Sequence, residues 1–256
     1  RVPDFILRQG FRFDAWNAKR RGEKAERFGK LEEAAEGYRQ QASAMIEHYN
    51  ITKDDAIKVP INIAMLKATR ILERIANDRP TKELYLKIAG CYMAIPMYAA
   101  MRMDAAKAYA KAIGLAGTVA DKEQIRADAV GKLIQEADEA LNDATTISAG
   151  LQSGLSKPGA RGLCNQLLYL AGACYTAAGF LATDVNVRAH NYEKALDVYI
   201  KYGDATHICM ATDNALKHAQ SDEQRSRILR ASLFELSDFA QRSYGEYGEA
   251  MFVLRF

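Results

Sequence analysis

The sequence predicts an all-α protein, an irregular helical solenoid or bundle of about nine to ten helices. Apolar residues recur at three- and four-residue steps along most of the chain, which is the period of an amphipathic helix. Alanine is abundant, the 256 residues include only five prolines, and clusters of β-branched residues are few. The hydrophobic content of 49% is sufficient for a substantial core.

The clearest single helix is predicted over 191–203. Its apolar and aromatic side chains share one face, its charged side chains take the other, and Gly203 is the expected end. The shared face consists of Tyr192, Ala195, Leu196, Tyr199 and Tyr202.

The first stretch of the chain, 1–13, is predicted to be an irregular N-terminal arm, because Pro3 and Gly10 interrupt it. We expect this arm to pack on the domain. A docking segment for another chain is the alternative, since the arm contains several large apolar side chains.

An N-terminal helical-repeat half is predicted over 14–149. It begins with a helical hairpin in which Asp14 caps the first helix and Gly29 separates it from a second helix over 31–48. Caps and helix breakers then divide the remainder into further helices. A third helix is predicted to start at Thr52 or Pro60 and to end before Pro80. The next stretch starts at Thr81, is split at Pro96 and ends at Gly114 and Gly117. A long helix is then predicted over 121–149.

The segment 150–162 has the most loop-like composition of the chain and is predicted to be a linker or a mobile loop. Its glycines, with Lys157 and Arg161, could hold a phosphate group. The glycine spacing matches neither of the common phosphate-binding patterns, however, so a linker is the preferred interpretation.

A C-terminal helical-repeat half is predicted over 163–256. It begins with a nearly apolar helix over 163–181, which we expect to be deeply buried. A polar connector over 183–190 then leads to the helix at 191–203.

The remaining signals place two more helices in this half. Asp204 is the expected N-cap of one helix, and Ser221 with Gln224 forms a capping box at the start of the last. The final segment, 244–256, is aromatic and apolar, so we expect it to pack on the body of the protein or on a partner.

Three of these helices share a small alanine followed four residues later by a tyrosine. The pairs are Ala34 with Tyr38, Ala105 with Tyr109, and Ala195 with Tyr199. Two further helices carry a spaced pattern of large, small and aromatic residues, namely Tyr85-x-x-Ile88-Ala89-x-x-Tyr92 and Leu168-x-x-Ala171-Gly172-x-x-Tyr175.

Together these patterns resemble the two helices of a tetratricopeptide repeat. The resemblance implies close helical hairpins in which the small residue lets two helices approach and the aromatic ring fills the gap to the next hairpin. The copies do not follow the family's period of about 34 residues, so the array is expected to be irregular.

Residues 14–77 also resemble the three-helix bundle of microtubule-interacting-and-trafficking domains. The repeated tyrosines are expected in the core: Tyr38, Tyr92, Tyr109, Tyr175 and Tyr199.

Positive charge is concentrated at the N-terminus. The whole chain has a net charge of +3, whereas residues 1–30 contain nine Lys or Arg against four Asp or Glu. Arginine and lysine interleaved with aromatic rings are typical of surfaces that bind RNA or an acidic protein. The candidate polyanion-binding residues are Arg12, Lys19, Arg20, Arg21, Lys24 and Arg27, and the interleaved aromatic residues are Phe11, Phe13, Trp16 and Phe28. The alternative is a solvated helix face with the rings turned inward, on which Trp16 and Arg20 would stack.

No catalytic or metal-binding motif is visible, so we expect no enzymatic activity, no cofactor and no metal site. The four histidines form neither H-E-x-x-H nor a pair of E-x-x-H patterns, and the four cysteines include no C-x-x-C spacing. The cysteines are therefore expected to be free thiols in a reducing compartment. They are Cys91, Cys164, Cys174 and Cys209.

No segment is long and apolar enough to predict a membrane span, and no signal peptide is visible. A cytoplasmic location is expected. Because the sequence starts with Arg1 rather than Met, an organelle reached through a removed targeting segment is the alternative.

The favoured function is non-catalytic: a protein–protein interaction, scaffold or adaptor subunit of a larger assembly, with other proteins as partners. The alternative is binding of RNA or another polyanion through the basic N-terminal helix. Candidate partner-docking residues are Phe11, Phe13, Trp16, Phe252 and Phe256.

Overall fold

The structure is a computed structural model that describes residues 4–96, 98–153 and 158–247, with side chains described for 9–96, 98–153 and 158–241. These residues form ten α-helices and one short 3₁₀ helix (Asp55–Ile57), and no strand occurs among them. The α-helices are α1 (Asp4–Arg27), α2 (Leu31–Thr52), α3 (Lys58–Asp78), α4 (Lys82–Met93), α5 (Ala100–Leu115), α6 (Val119–Gln152), α7 (Ala160–Leu181), α8 (Val185–Tyr202), α9 (Ala205–His218) and α10 (Asp222–Tyr247). The predicted all-α class is confirmed. None of these helices combines the length and apolar character needed to cross a membrane.

The chain divides into two compact units, an N-terminal unit (Arg1–Arg126) and a C-terminal unit (Ala127–Phe256). In the N-terminal unit, each helix from α1 to α5 packs on the next helix in the chain. In the C-terminal unit, α7 to α10 pack in the same sequential way. The division lies within α6. The linker that the sequence predicted at 150–162 overlaps the last residues of α6 and the first residues of α7, and its centre, 154–157, lies outside the described residues.

The irregular arm predicted at the N-terminus is wrong for the residues that the structure describes there. The first helix begins at Asp4, and Asp14, the expected N-cap, lies inside it. Gly10 does not interrupt the helix, because a glycine in a helix interior costs only about 1 kcal/mol. Packing along the rest of this 24-residue helix can offset such a cost.

The polar connector predicted over 183–190 is also wrong. Helix α8 begins at Val185, because the Asp184 carboxylate accepts the backbone N–H groups of Asn186 and Val187 at 2.9 Å each. Ala189 is buried while most of its neighbours are exposed. The polar residues are therefore the solvent-facing side of the first turns of α8 and not a loop.

Most other helix boundaries follow the predicted signals. Gly29, at φ +69°, separates α1 from α2, and Gly203, at φ +76°, ends α8. Thr81 caps α4 by accepting the backbone N–H of Leu84 at 3.2 Å. Pro96 lies in the connection between α4 and α5, as expected of a residue that cannot continue a helix.

The caps of the last two helices are confirmed with one difference of detail. Asp204 accepts the backbone N–H of His207, and Ser221 accepts that of Gln224, both at 3.1 Å. The Gln224 side chain accepts the backbone N–H of Gln220 (2.6 Å), one residue before the position that the capping box predicts.

Four of the five tyrosines expected in the core are buried, and Tyr92 is half-buried. The hydroxyl of Tyr38 on α2 donates to Glu26 Oε2 on α1 (2.7 Å), and Lys67 Nζ on α3 lies 5.1 Å from the centre of its ring. Burial and the neighbouring carboxylate raise the pKa of the Tyr38 hydroxyl. A buried tyrosine is thus held by a carboxylate from the preceding helix and an ammonium group from the following one.

The same arrangement occurs in the C-terminal unit. The Tyr175 hydroxyl on α7 donates to Asp138 on α6, and Lys194 Nζ on α8 lies 5.0 Å from the ring centre. Tyr92 on α4 repeats the first half of the arrangement by donating to Glu73 Oε1 on α3 at 2.7 Å. Burial, followed by the carboxylate, again raises the pKa of each hydroxyl.

Helices α1 and α2 cross closely at two glycines, Gly22 and Gly37. A Cβ atom added to Gly37 would lie 2.6 Å from both the Cα and the backbone N of Gly22. Ala18 and Ala25 of α1 and Ala34 of α2 are buried around this crossing. Only glycine and alanine fit at this crossing, so it determines which face of α1 turns toward α2.

We predict that Gly37→Ala destabilises the protein by about 1–3 kcal/mol, because the added methyl group meets backbone atoms that cannot rotate away. The loss is expected even though alanine favours a helix over glycine by about 1 kcal/mol. The loss is measured as the difference in the free energy of unfolding between the variant and the wild type, from urea unfolding followed by circular dichroism. The matched control is Gly114→Ala in α5, an exposed position where an added Cβ has no neighbour within 4 Å and stability should not fall. A Gly37→Ala variant as stable as the wild type would contradict the close backbone contact between α1 and α2 at this position.

A buried arginine stabilises the connection between α4 and α5. The guanidinium group of Arg102 is fully buried and donates to the backbone carbonyls of Tyr92 (2.9 Å) and Ile95 (3.1 Å). These carbonyls lie at the end of α4 and in the connection that follows, where the regular helical hydrogen bonds end. The Tyr92 carbonyl also accepts the backbone N–H of Ile95 at 3.4 Å.

We predict that Arg102→Met lowers the free energy of unfolding by about 2–4 kcal/mol, because it leaves two carbonyls without these charged donors. Chemical denaturation gives the value. Arg70→Met removes an exposed arginine of the same unit and should change stability by less than about 0.5 kcal/mol. Equal effects of the two substitutions would refute a structural role for Arg102.

Candidate functional site

The strongest candidate site lies on the side of α1 that points away from α2. Because Ala15, Ala18, Gly22 and Ala25 are buried, the opposite side of the helix faces solvent. At about 100° per residue, six large side chains fall within roughly 120° on that side. We call these residues the aromatic–basic face: Phe13, Trp16, Arg20, Lys24, Arg27 and Phe28.

The rings of this face are exposed to solvent. Phe13 is 62% exposed, Trp16 49% and Phe28 72%, which is unusual for side chains of this size. The rings of Phe13 and Trp16 stack at 6.2 Å with an interplanar angle of 27°, and the Arg20 guanidinium carbon lies 4.8 Å from the centre of the Trp16 ring. The predicted stacking of Trp16 and Arg20 is confirmed. The alternative, in which the rings are turned inward, is wrong for Phe13, Trp16 and Phe28, since all three are exposed.

A groove of about 860 Å³ lies along α1, and of the three rings only Phe28 lines it. Four of the predicted cations line it together, and two carboxylates and two amides complete the polar part of its wall. The lining residues are Asp14, Asn17, Ala18, Arg20, Arg21, Glu23, Lys24, Arg27, Phe28 and Gln40. Positive charge therefore exceeds negative charge along the groove.

Two carboxylates of α1 are already engaged at its edges. Glu23 pairs with Lys19 at 3.8 Å, and Glu26 accepts the Tyr38 hydroxyl at 2.7 Å. Among the described residues, neither forms an ion pair with Arg20, Lys24 or Arg27, so these three cations keep their charge for another molecule.

The cations themselves have few partners. Arg21 donates to Gln40 Oε1 on α2 (3.0 Å), which holds it at the side of the groove. Within the described part of the chain, the side chains of Arg12, Lys24 and Arg27 form neither an ion pair nor a hydrogen bond. Unpaired cations beside exposed rings can bind an anionic group without first breaking an internal contact.

The remaining sequence-predicted site residues are distributed differently. Arg12 is exposed but does not line the groove, Lys19 is paired with Glu23, and Phe11 is half-buried. Phe252 and Phe256 lie outside the described residues. The predicted polyanion-binding residues thus share one helix, and four of the six share one groove.

Two groove residues had no signal in the sequence. Gln40 reaches the groove from α2, and its position depends on the helix crossing at Gly22 and Gly37. Asn17 shares the exposed side of α1 and carries no charge or ring that would have marked it. Helical periodicity applied to α1 alone could have indicated Asn17, but it could not have indicated Gln40.

His207 lies in a cluster of tyrosine rings beside the carboxylate of Asp204. Its ring lies 4.7 Å from that of Tyr169 and 5.2 Å from that of Tyr199, and its Nδ1 atom lies 3.0 Å from Asp204 Oδ1. Burial raises the pKa of Asp204, but the contacts with His207 more than compensate and lower it below the usual range. Among the described residues, no group of three or more His, Cys, Asp or Glu side chains could hold a metal ion.

Comparison with family models, with curated proteins and with solved structures gives no match to this chain. Its function is therefore inferred from its own side chains and their arrangement.

We predict that iodide quenches the fluorescence of Trp16, the only tryptophan, more strongly than caesium does at equal ionic strength. The excess cations near the exposed ring attract an anion and repel a cation. Quenching is measured relative to free N-acetyltryptophanamide at low salt, where screening is weak.

The ratio of iodide to caesium quenching should fall toward 1 in an Arg12→Gln/Arg20→Gln variant, because these arginines lie one helical turn on either side of Trp16. Arg70→Gln/Arg74→Gln removes the same charge from α3 and should leave the ratio unchanged. An iodide quenching constant no larger than that of caesium in the wild type would exclude a positive potential at this face.

Proposed function

We propose that this protein is a non-catalytic interaction subunit that binds an acidic segment of another protein through the aromatic–basic face of α1. The observation that carries this proposal is the combination, on one helix side, of exposed rings with cations that have no partner in the described part of the chain. Tryptophan and arginine are the residues that contribute most often to the binding energy of protein interfaces.

The physical chemistry of the face fits an acidic partner. Carboxylates of the partner would pair with Lys24 and Arg27, while its apolar groups would cover Phe13, Trp16 and Phe28. Covering the rings would contribute roughly 25 cal/mol for each Å² of apolar surface removed from water. The charges would add specificity and speed of association more than affinity.

The sequential packing of the helices supports a scaffold role and the tetratricopeptide-like resemblance, which stays a proposal. In the C-terminal unit, a small residue of α7 lies against a ring of α8, and this close approach supports the proposal. A Cβ atom added to Gly172 would lie 2.6 Å from Tyr199 Cε1, so the ring occupies the space left by the missing side chain. Hairpins packed in this way extend into arrays whose surfaces hold other proteins.

Binding of single-stranded RNA is the second candidate, favoured by the exposure of the rings. Bases stack on aromatic side chains, while the backbone phosphates pair with arginine and lysine. The outer ring face of the Phe13–Trp16 pair and the separate Phe28 ring would give two such stacking positions.

The test compares two fluorescent probes, a 20-residue poly-glutamate peptide and a 20-nucleotide poly-uridine, by anisotropy at 50 and 300 mM salt. We expect the peptide to bind the wild type, and an Arg20→Gln/Lys24→Gln/Arg27→Gln variant to bind it at least tenfold more weakly. An Arg70→Gln/Arg74→Gln/Lys132→Gln variant loses the same charge from exposed positions elsewhere and should bind like the wild type.

The second candidate predicts a different result. If poly-uridine binds more tightly than the peptide, its affinity should depend steeply on salt, and removing three phosphate contacts should reduce the slope of log K against log salt by about 2. RNA would then replace the acidic protein as the partner. Absence of binding by both probes, or equal binding by the two triple variants, would reject the aromatic–basic face as a binding site.

A further inference from the structure

A second groove, independent of the aromatic–basic face, lies within the C-terminal unit. It occupies about 720 Å³ beside the last turns of α6 and the first turns of α7, and Lys201 reaches it from α8. This volume is within the range of clefts that hold small organic ligands.

The floor of this groove is apolar. It includes Leu141 and Ala144 of α6 and Cys164 and Leu168 of α7. The polar atoms near the floor already have partners, since the Cys164 thiol donates to the Ala144 carbonyl (3.5 Å) and the Thr145 hydroxyl donates to the Leu141 carbonyl (2.8 Å). The floor therefore offers apolar surface and does not require water or a polar ligand group to satisfy it.

The rim of the groove is cationic. Arg161 and Lys201 are both exposed, and in the described residues neither forms an ion pair. No carboxylate lines the groove, and Asp197, one turn before Lys201, is not part of it.

Two further features strengthen the positive potential at the Arg161 end. Arg161 is the second residue of α7, whose N-cap, Gly159, has no side chain to accept the N–H groups of the first turn. These groups and the helix dipole add partial positive charge at the same end. The amide of Asn165, one turn further along α7, also lines the groove and can donate to an anion.

We propose that this groove binds a single-chain anionic amphiphile, a molecule with a carboxylate head and an unbranched apolar chain. The chain would cover the floor formed by Leu141, Ala144 and Leu168, and the head would pair with Arg161 and Lys201. A small inorganic anion would leave the apolar floor in contact with water. A neutral apolar molecule would gain nothing from the two unpaired cations.

The test measures binding of decanoate, below its micelle concentration, by isothermal titration calorimetry on the full chain. Acetate supplies the head without the chain, 1-decanol the chain without the head, and inorganic phosphate a different anion. We expect saturable binding of one decanoate per chain, at least tenfold tighter than that of any of the three comparison probes. The signal of ¹³C-carboxyl-labelled decanoate should shift on binding in the wild type.

Variants separate the two parts of the groove. Arg161→Gln/Lys201→Gln should weaken decanoate binding at least tenfold and leave the affinity for 1-decanol unchanged. Thr145→Trp, an exposed position on the wall, should block both molecules by filling the groove, and Ala149→Phe is a second blocking variant if the first does not fold. Lys132→Gln/Arg230→Gln, which removes the same charge from outside the groove, should bind decanoate like the wild type.

Several results would overturn the proposal. One is the absence of saturable decanoate binding to the wild type. Another is phosphate or acetate binding as tightly as decanoate, which would make the rim a simple anion site. A third is 1-decanol binding as tightly as decanoate, which would remove the role of the cations. Unchanged binding in both folded blocking variants would place the amphiphile elsewhere on the chain.

Discussion

The contact between Gly22 and Gly37 is the constraint on which the N-terminal unit most depends. A Cβ atom added to Gly37 would lie 2.6 Å from backbone atoms of Gly22, so the residues at the crossing itself must be small. The alanines beside these glycines meet that requirement. Phe13, Trp16, Arg20 and Lys24 lie on the other side of α1, whereas Arg21 and Glu26 reach side chains of α2. The exposure of Phe13, Trp16 and Arg20 is thus a consequence of how α1 packs, and the aromatic–basic face follows from the same small-residue stripe that stabilises the hairpin.

Tyrosine–carboxylate pairs are a second recurring element, and they relate the helices differently from the sequence pattern. The sequence groups Tyr38 with Tyr109 and Tyr199, because each follows an alanine by four residues. By its contacts, however, Tyr38 resembles Tyr92 and Tyr175, since each donates its hydroxyl to a carboxylate on the preceding helix. The spacing of residues along one helix indicates which side of that helix is buried. The partner of a buried hydroxyl group comes from another helix, so the sequence around the tyrosine does not indicate it.

This difference explains which parts of the molecule the sequence could predict. Fold class and most helix ends follow from local chemistry, such as the Thr81 and Asp204 caps and the Gly29 turn, and these were correct. The error at 4–13 arises because Gly10 lies inside a continuing helix and does not end it. The error at 183–190 arises because the exposed polar residues from 186 onward belong to the first turns of α8. The cations of α1 were predictable because they share one helix. The groove that joins Arg161 to Lys201 was not, because forty residues separate its two cations.

The two grooves differ in the physical interaction that would hold a ligand. On the aromatic–basic face the cations project into water, so their attraction for a partner is screened by salt and acts over about 10 Å at 0.1 M ionic strength. In the C-terminal unit the apolar floor would contribute through the removal of surface from water, which ordinary salt concentrations hardly weaken. Binding of a partner to α1 would therefore depend strongly on ionic strength. A ligand of the second groove would lose with added salt only the part of its affinity that comes from Arg161 and Lys201.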